Sequence, residues 1–486
     1  MRKRYIFSPI IILVIGTILF SYTATKSAVS SFTHDESYSY LHYVPHGFMD
    51  NISNKDGYSN NHILNTLCMK YSEKVFGSSE IALRLPNLLL LLVFLTYTFL
   101  LFRKSPEVFS ISIFILMTAN TALLDIFGLA RGYGMSIGFM MMSLYHLIKS
   151  FDGNLNKHLT LFNIGALLAI FSNFTMLSFY FAALFAFNLI LVMESRFKPK
   201  EKSNLIQVNK VNMGFFILFL IVLYEPVRKA IKFNSFDFGG KVGFVNDTVT
   251  SLISHLLTNI SLSPIEIILL QIVILFVLLL PLILILSNIC FSNKVFFSRH
   301  RALVLVNIIF LTLSAETVIQ HYILKTDYLL GRFSIFLIPI FVLNFGFLLI
   351  YFAQFRIRIV IYPLMVALSF LSIFNFYKNT DLYSCAEWGY DRETKNVITA
   401  LIQDRKSDTL KQDHIKLGIN WLFEPTINFY RQTWHIDWLL PVDRKGLADD
   451  DDYEYDFISE IGKRGDSNSR VIFSSGIINT RLIRVK

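Results

Sequence analysis

The stretch FGSSEIALRLPNLLLLLVFLTYTFLLF occupies residues 76–102. From Leu85 to Phe102 it carries no charge, and roughly 20 consecutive apolar residues are what a helix needs to cross ~30 Å of hydrocarbon. Glu80 and Arg84 stand four residues apart where that helix would begin, a spacing that suits an ion pair on one helical face. The rest of the chain repeats the theme. Of 486 residues 53% are hydrophobic, 47 are Phe and only 16% are charged, a balance far from that of a soluble globular protein.

The apolar runs predict a mainly α fold: a polytopic helical membrane protein with about eleven transmembrane helices and a small α/β extracytoplasmic C-terminal domain. The spans are expected near 5–22, 80–102, 107–126, 130–149, 159–173, 176–193, 211–225, 264–287, 302–320, 333–352 and 357–376. Leu159 to Met193 is one unbroken apolar run, too long for a single crossing, and is expected to fold as a hairpin at SNFT. The first span follows MRKR like a signal peptide but lacks a small-residue cleavage site, and reads as a retained anchor.

Lysine and arginine collect in alternate connections, among them Arg103, Lys104, Lys149, Lys157, Lys210, Arg299, Arg301, Arg356 and Arg358. Short cytoplasmic loops are enriched in these residues. The N-terminus is therefore expected inside, with the first loop, the segment 226–263 and the tail from about 378 outside. The net charge of +10 is then a signal of topology rather than of nucleic-acid binding. Cys68, Cys290 and Cys385 are scattered and odd in number, which suits free packing thiols rather than a zinc or disulfide framework. No Walker-type or Rossmann-type glycine motif is present, so no nucleotide cofactor is expected.

Four parts follow: a first transmembrane helix (1–22), a first outer loop (23–79), a transmembrane domain (80–377) and an extracytoplasmic α/β domain (378–486). The loop contains SNNHILNTLCMKYSEKVFG, whose Ile63, Leu64, Leu67, Tyr71, Val75 and Phe76 recur at helical spacing and predict a helix lying on the membrane surface. In the tail, TKNVITALIQDR and EPTINFYRQTW read as helices, HIKLGINW and RVIFSSGI as strands. The acidic run ADDDDYEYD lacks the glycine and terminal glutamate of an EF-hand and reads as a solvated loop.

Ionisable groups at the edge of a membrane tend to face an aqueous cavity. Asp125, Arg131, Glu316, His321, Lys325 and Arg332 all fall at the outer ends of expected spans, on the side that also carries Asp35 and Glu36 in HDESYSY. The plain alternative is a polar rim where helices meet water. A carboxylate pair in such a place can act as a general base, or can hold a divalent metal ion that neutralises a phosphate.

HDESYSY after the first span, NHILNTL, FGSSEIALRLPNLLLLL, LARGYGMSIGF and YLLGRFSIFLIPIF come in an order that resembles the GT-C glycosyltransferases. More closely, they resemble the branch holding the protein O-mannosyltransferases and the bacterial aminoarabinose transferase that modifies lipid A. The resemblance implies a membrane glycosyltransferase that takes a sugar from a polyprenyl-phosphate-linked donor and passes it, with inversion, to an acceptor glycan, lipid or protein on the outer face of a bacterial inner membrane or its lumenal equivalent. It implies that Asp35 is the catalytic acid residue of the first loop, with Glu36 beside it. His62 matches a family His-Pro in which Ile63 here replaces the proline. Arg131 and Arg332 match outer arginines, which with Lys325 suit a donor phosphate because the guanidinium fork donates two hydrogen bonds while staying charged; an interfacial anchor is the other reading. A multi-pass transporter and a different lipid-dependent envelope enzyme, such as a polysaccharide polymerase, are the alternatives.

Overall fold

The computed structural model describes residues 7–58, 60–195, 201–232, 239–290, 294–407, 413–444, 454–458 and 470–485. Most of ADDDDYEYD lies outside the described residues.

Each of the eleven expected spans is helical. Among the described residues seven helices are long and apolar enough to cross a membrane, or eight if one bent pair is a single crossing. The protein is an integral, multi-pass helical membrane protein. Helix α1 (Phe7–Val29) runs seven residues past its expected end and carries Lys26 inward. The third span breaks by 64° between Glu107–Thr118 and Thr121–Phe127. Asn120 causes the restart, because its side chain accepts from the backbone N–H of Leu123 and caps the second piece. SNFT forms the expected hairpin between Leu155–Ser172 and Met176–Ser195.

At one end of the bundle Arg301 makes a two-point pair with Glu194 and donates to the Phe151 carbonyl. At the other end the first loop, the segment after residue 239 and the tail meet. Helix α2 (His34–His42) begins with a capping box in which Glu36 accepts from the Thr33 backbone. The loop helix Ile63–Phe76 forms as expected, with Tyr71, Val75 and Phe76 exposed. Its inner face is more polar than its spacing predicted: Asn65 and Thr66 are buried beside Ile63, Leu67 and Met69, since Asn65 must reach the Ala130 carbonyl.

The tail holds helices Thr394–Ser407 and Glu424–Thr433 and a four-stranded sheet in the order β1 (Leu417–Gly418), β2 (Tyr455–Ile458), β4 (Thr480–Arg484), β3 (Arg470–Ser475). Strands β1 and β2 are parallel and the other pairs antiparallel. Strands β2 and β4 had no counterpart in the sequence reading. The tail and first loop share one hydrophobic core, in which Phe32, Tyr40 and Met69 pack with Ile427, Phe429 and Tyr430. Phe32 stacks on Phe429 at 4.2 Å and is fully buried, a burial of roughly 1.5–3 kcal/mol.

Candidate functional site

Two adjacent carboxylates at the start of α2 point to different surroundings, as successive residues of a helix must. Glu36 is fully buried. Arg84 donates from Nε to its Oε1 at 2.8 Å and from Nη2 to its Oε2 at 2.7 Å. The Thr33 backbone and hydroxyl also donate to Oε2, and the Ala130 backbone donates to Oε1. Arg84 spends its other donors on the carbonyls of Ser27, Ser30 and Ser31. Glu36 thus has no oxygen left for a substrate or a cation, and it ties the first loop to the Glu80–Phe102 helix. The expected Glu80–Arg84 pair does not form: Glu80 takes Lys395 at 2.7 Å and the Tyr430 hydroxyl at 3.1 Å instead. Both residues reach across to the outer segments, where burial makes a saturated partner worth more than a surface pair.

Asp35 faces a pair of arginines. Its Oδ2 lies 3.0 Å from Arg332 Nη1 and 3.8 Å from Arg131 Nη2. Arg131 is fully buried and held from other directions, donating to the Asp35 carbonyl, the Ser39 hydroxyl at 2.7 Å and Asn60. Arg332, in the short turn Gly331–Phe333, is partly exposed and stacks over the rings of Trp388, Phe333 and Tyr133. Burial works to raise the Asp35 carboxyl, but the Arg131 and Arg332 charges, with His34 and a Trp388 hydrogen bond, hold it below the ordinary carboxylate value.

Beside this pair lies a pocket of about 500 Å³ lined by Gly239, Lys241, Asp327, Leu330, Gly331, Arg332, Phe333 and Glu387. The preceding helix, Arg301–Leu324, ends in exposed Tyr322, Ile323 and Leu324. Lys325, expected near a phosphate, is the exposed left-handed cap of that helix at φ 58° and does not line the pocket. Lys241, which sequence reasoning missed, does. Its only signal was a position in the long segment between two spans.

The remaining expected residues divide. His62 comes to the site's edge: its Nδ1–H donates to the Ser172 carbonyl at 2.8 Å, and its ring meets Tyr133 edge-on. Burial and then the Arg131 charge hold its imidazole well below the ordinary value, so it is neutral. Gly132 makes room for it, since a Cβ there would stand 1.8 Å from the Ser172 carbonyl oxygen and 2.7 Å from His62 Nδ1. Asp125 pairs instead with Lys26, buried at the end of α1. Glu316 accepts from Gln320 at 2.9 Å and shares a hydrogen bond with Ser178. His321 stacks on Tyr328 at 4.2 Å and bonds the Thr326 carbonyl, behind the pocket wall where Tyr328 pairs with Gly240. None of these three contacts Asp35.

A divalent ion between Asp35 and Glu36 does not fit this donor set, because Glu36 is consumed by Arg84 and Asp35 confronts two cations. Among the described residues no cluster of three or more His, Cys, Asp or Glu side chains could hold a metal ion.

Behind α2, Asp391 of the tail is deeply buried and accepts from the His34 backbone N–H at 2.7 Å. The Phe32 backbone N–H donates to the Tyr430 hydroxyl at 2.8 Å, and the Ser31 hydroxyl to the Arg392 carbonyl. The tail therefore fixes the backbone on which Asp35 sits.

No family model matches the sequence, and no curated protein matches it significantly. Solved structures similar to the chain include ArnT from Cupriavidus metallidurans in the apo state, at 10% identity and a TM-score of 0.49 over 98% of this chain and 97% of that one. The same protein bound to undecaprenyl phosphate gives 9% identity and a TM-score of 0.47 over the same shares.

Proposed function

We propose that the protein is a membrane glycosyltransferase of GT-C type, moving a sugar from a polyprenyl-phosphate donor to an acceptor on the outer face. The observation that carries this reading is a buried carboxylate, Asp35, held between two arginines beside a pocket lined by Arg332 and Lys241. A lipid-linked phosphate donor needs this combination: cations for its head and a base aimed at the incoming nucleophile.

The two arginines have separate tasks. Arg131, locked by Ser39 and Asn60, positions Asp35. Arg332 can be reached from the pocket and takes the donor phosphate together with Lys241. As the phosphate draws Arg332 away, Asp35 loses the cation that weakens it as a base, and its proton affinity rises when the donor is in place. Asp35 then removes the proton from the acceptor hydroxyl or amine. The acceptor atom bonds to the anomeric carbon as the bond from that carbon to the phosphate oxygen breaks, with inversion, and polyprenyl phosphate leaves with its negative charge on Arg332. His62 and Glu36 position; neither exchanges a proton.

The test is mass spectrometry of envelope glycans and lipids from cells lacking the gene, complemented by wild type or by Asp35→Asn. Loss of one sugar on deletion, restored by wild type and not by a normally inserted Asp35→Asn, is the expected result. Full restoration by Asp35→Asn removes the base. Solute flux through proteoliposomes with no consumption of lipid-linked sugar would make the protein a transporter.

A further inference from the structure

The far end of α2 borders a second cavity that the donor reading does not use. It measures about 550 Å³ and is lined by Tyr38, Leu41, His42, Tyr43, His46, Lys55, Asp56 and Tyr58, within the ~300–1,000 Å³ range of small-ligand sites. Tyr43 is 1% exposed and its hydroxyl has no hydrogen-bond partner among the described residues. An orphaned buried hydroxyl costs about 1–3 kcal/mol unless something fills its bond, and this one belongs to the cavity wall.

We propose that this cavity is the acceptor subsite, and that its occupant is a neutral saccharide presenting a hydroxyl to Asp35. The inference rests on the transferase reading above and names the acceptor class for it.

Three features select a neutral, hydroxyl-rich ligand. The wall is aromatic: Tyr38 stacks on His42 at 4.1 Å and meets Tyr43 edge-on at 5.7 Å, and flat rings with polar edges suit the apolar faces and rim hydroxyls of a pyranose. Two cations at the wall are already matched: Lys55 lies 3.8 Å from Asp50, and Arg444, which covers the Tyr38 ring, bonds Glu424 at 3.2 Å. Asp56 adds a carboxylate 3.4 Å from His46, so an anionic acceptor that took either cation would break a pair and also meet that carboxylate. Burial also holds the His42 imidazole below its ordinary value, leaving a neutral group that can both donate and accept.

The cavity is joined to the reaction centre through one helix and one arginine. Asp35, Tyr38 and His42 fall on one face of α2 at i, i+3 and i+7, a span of about 10 Å at 1.5 Å per residue. Arg131 bonds Asn60, two residues from Tyr58, and reaches Asp35 with the same guanidinium. A saccharide lying against the Tyr38 and His42 wall therefore reaches toward Asp35 along α2.

The experiment is saturation-transfer NMR on the full chain in nanodiscs, without donor. The probes are the neutral and the anionic oligosaccharide fractions released from the source cell envelope, and a Ser/Thr-rich peptide. The neutral fraction is expected to receive saturation, Tyr38→Ala to weaken its apparent affinity at least tenfold, and Tyr43→Phe, which keeps the ring, to weaken it about fivefold. Preference for the anionic fraction or the peptide, no saturation of any probe, or binding indifferent to both variants overturns the proposal. The readout needs no sugar transfer. Saccharide binding without transfer by the intact protein would leave this subsite standing and remove the transferase reading, whereas transfer unaffected by Tyr38→Ala would do the reverse.

Discussion

Replacing Glu36 by glutamine separates a structural carboxylate from a catalytic one. Five donors converge on its two oxygens: Arg84 Nε and the Ala130 N–H on Oε1, and Arg84 Nη2, the Thr33 N–H and the Thr33 hydroxyl on Oε2. Glutamine keeps the shape but must place an NH₂ where one oxygen was, so at least two donors are left facing a donor. Each orphan costs about 1–3 kcal/mol. Breaking one side of a buried pair costs about 3–5 kcal/mol in all, and both partners here are fully buried. At ~2–4 °C per kcal/mol for a sizeable chain, the unfolding midpoint should fall by roughly 10 °C. The assay is thermal unfolding in nanodiscs, run for Glu36→Gln, Arg84→Met and Glu36→Leu with Arg84→Met combined. The combined variant should lose less than the sum of the singles, because the fork is one interaction. A midpoint within about 2 °C of wild type, with transfer abolished, would refute the reasoning and return Glu36 to the chemistry.

Asp35→Asn should lower transfer about 10²- to 10⁴-fold with the unfolding midpoint held within a few degrees, measured on the same nanodisc samples. Arg332→Ala should raise the donor KM and shift the acid limb of kcat/KM to higher pH, because Asp35 loses a neighbour that holds its pKa down; an acid limb that stays in place argues against the pairing. Asp391→Asn should flatten the pH dependence of stability. Burial pushes the Asp391 carboxyl up to about 8, against hydrogen bonds from His34, Thr426 and Thr394. Its folded value thus exceeds the unfolded value near ~4, so wild type should lose stability as pH rises from about 4 through about 8, while the asparagine variant loses less over the same scan. Gly132→Ala should lower the midpoint and displace His62, since its methyl would overlap the Ser172 carbonyl.

The helices were legible because a bilayer leaves composition little freedom: the Glu80–Phe102 helix could be read from its uncharged apolar run, Leu85–Phe102. The bend after Thr118 was not, because an asparagine capping a new turn resembles any polar residue in a run. At the site, the nearness of Asp35 to Arg332 followed from both being expected on the outer side of the spans. The fate of Glu36 did not, since its partner lies 48 residues away and the i, i+4 spacing of Glu80 and Arg84 offered a nearer pairing. Lys325 looked equivalent to Arg332 by position, but the left-handed turn at its own residue sends it outward. Strands β2 and β4 were hidden by charge: β4 reads TRLIR, with Arg481 exposed on the face opposite buried Leu482 and Arg484 closing the strand.

The grip of the tail on α2 sets an order of events in biosynthesis. Residues 31–36 leave the ribosome among the first, yet the groups that receive the Phe32 and His34 backbone N–H bonds, Tyr430 and Asp391, are made more than 350 residues later. A nascent chain can thread every helix into the bilayer and still lack the scaffold of its reactive segment. Termination near residue 380 would leave an inserted protein whose first outer segment lacks both of these acceptors, so the last quarter of translation completes the scaffold of α2.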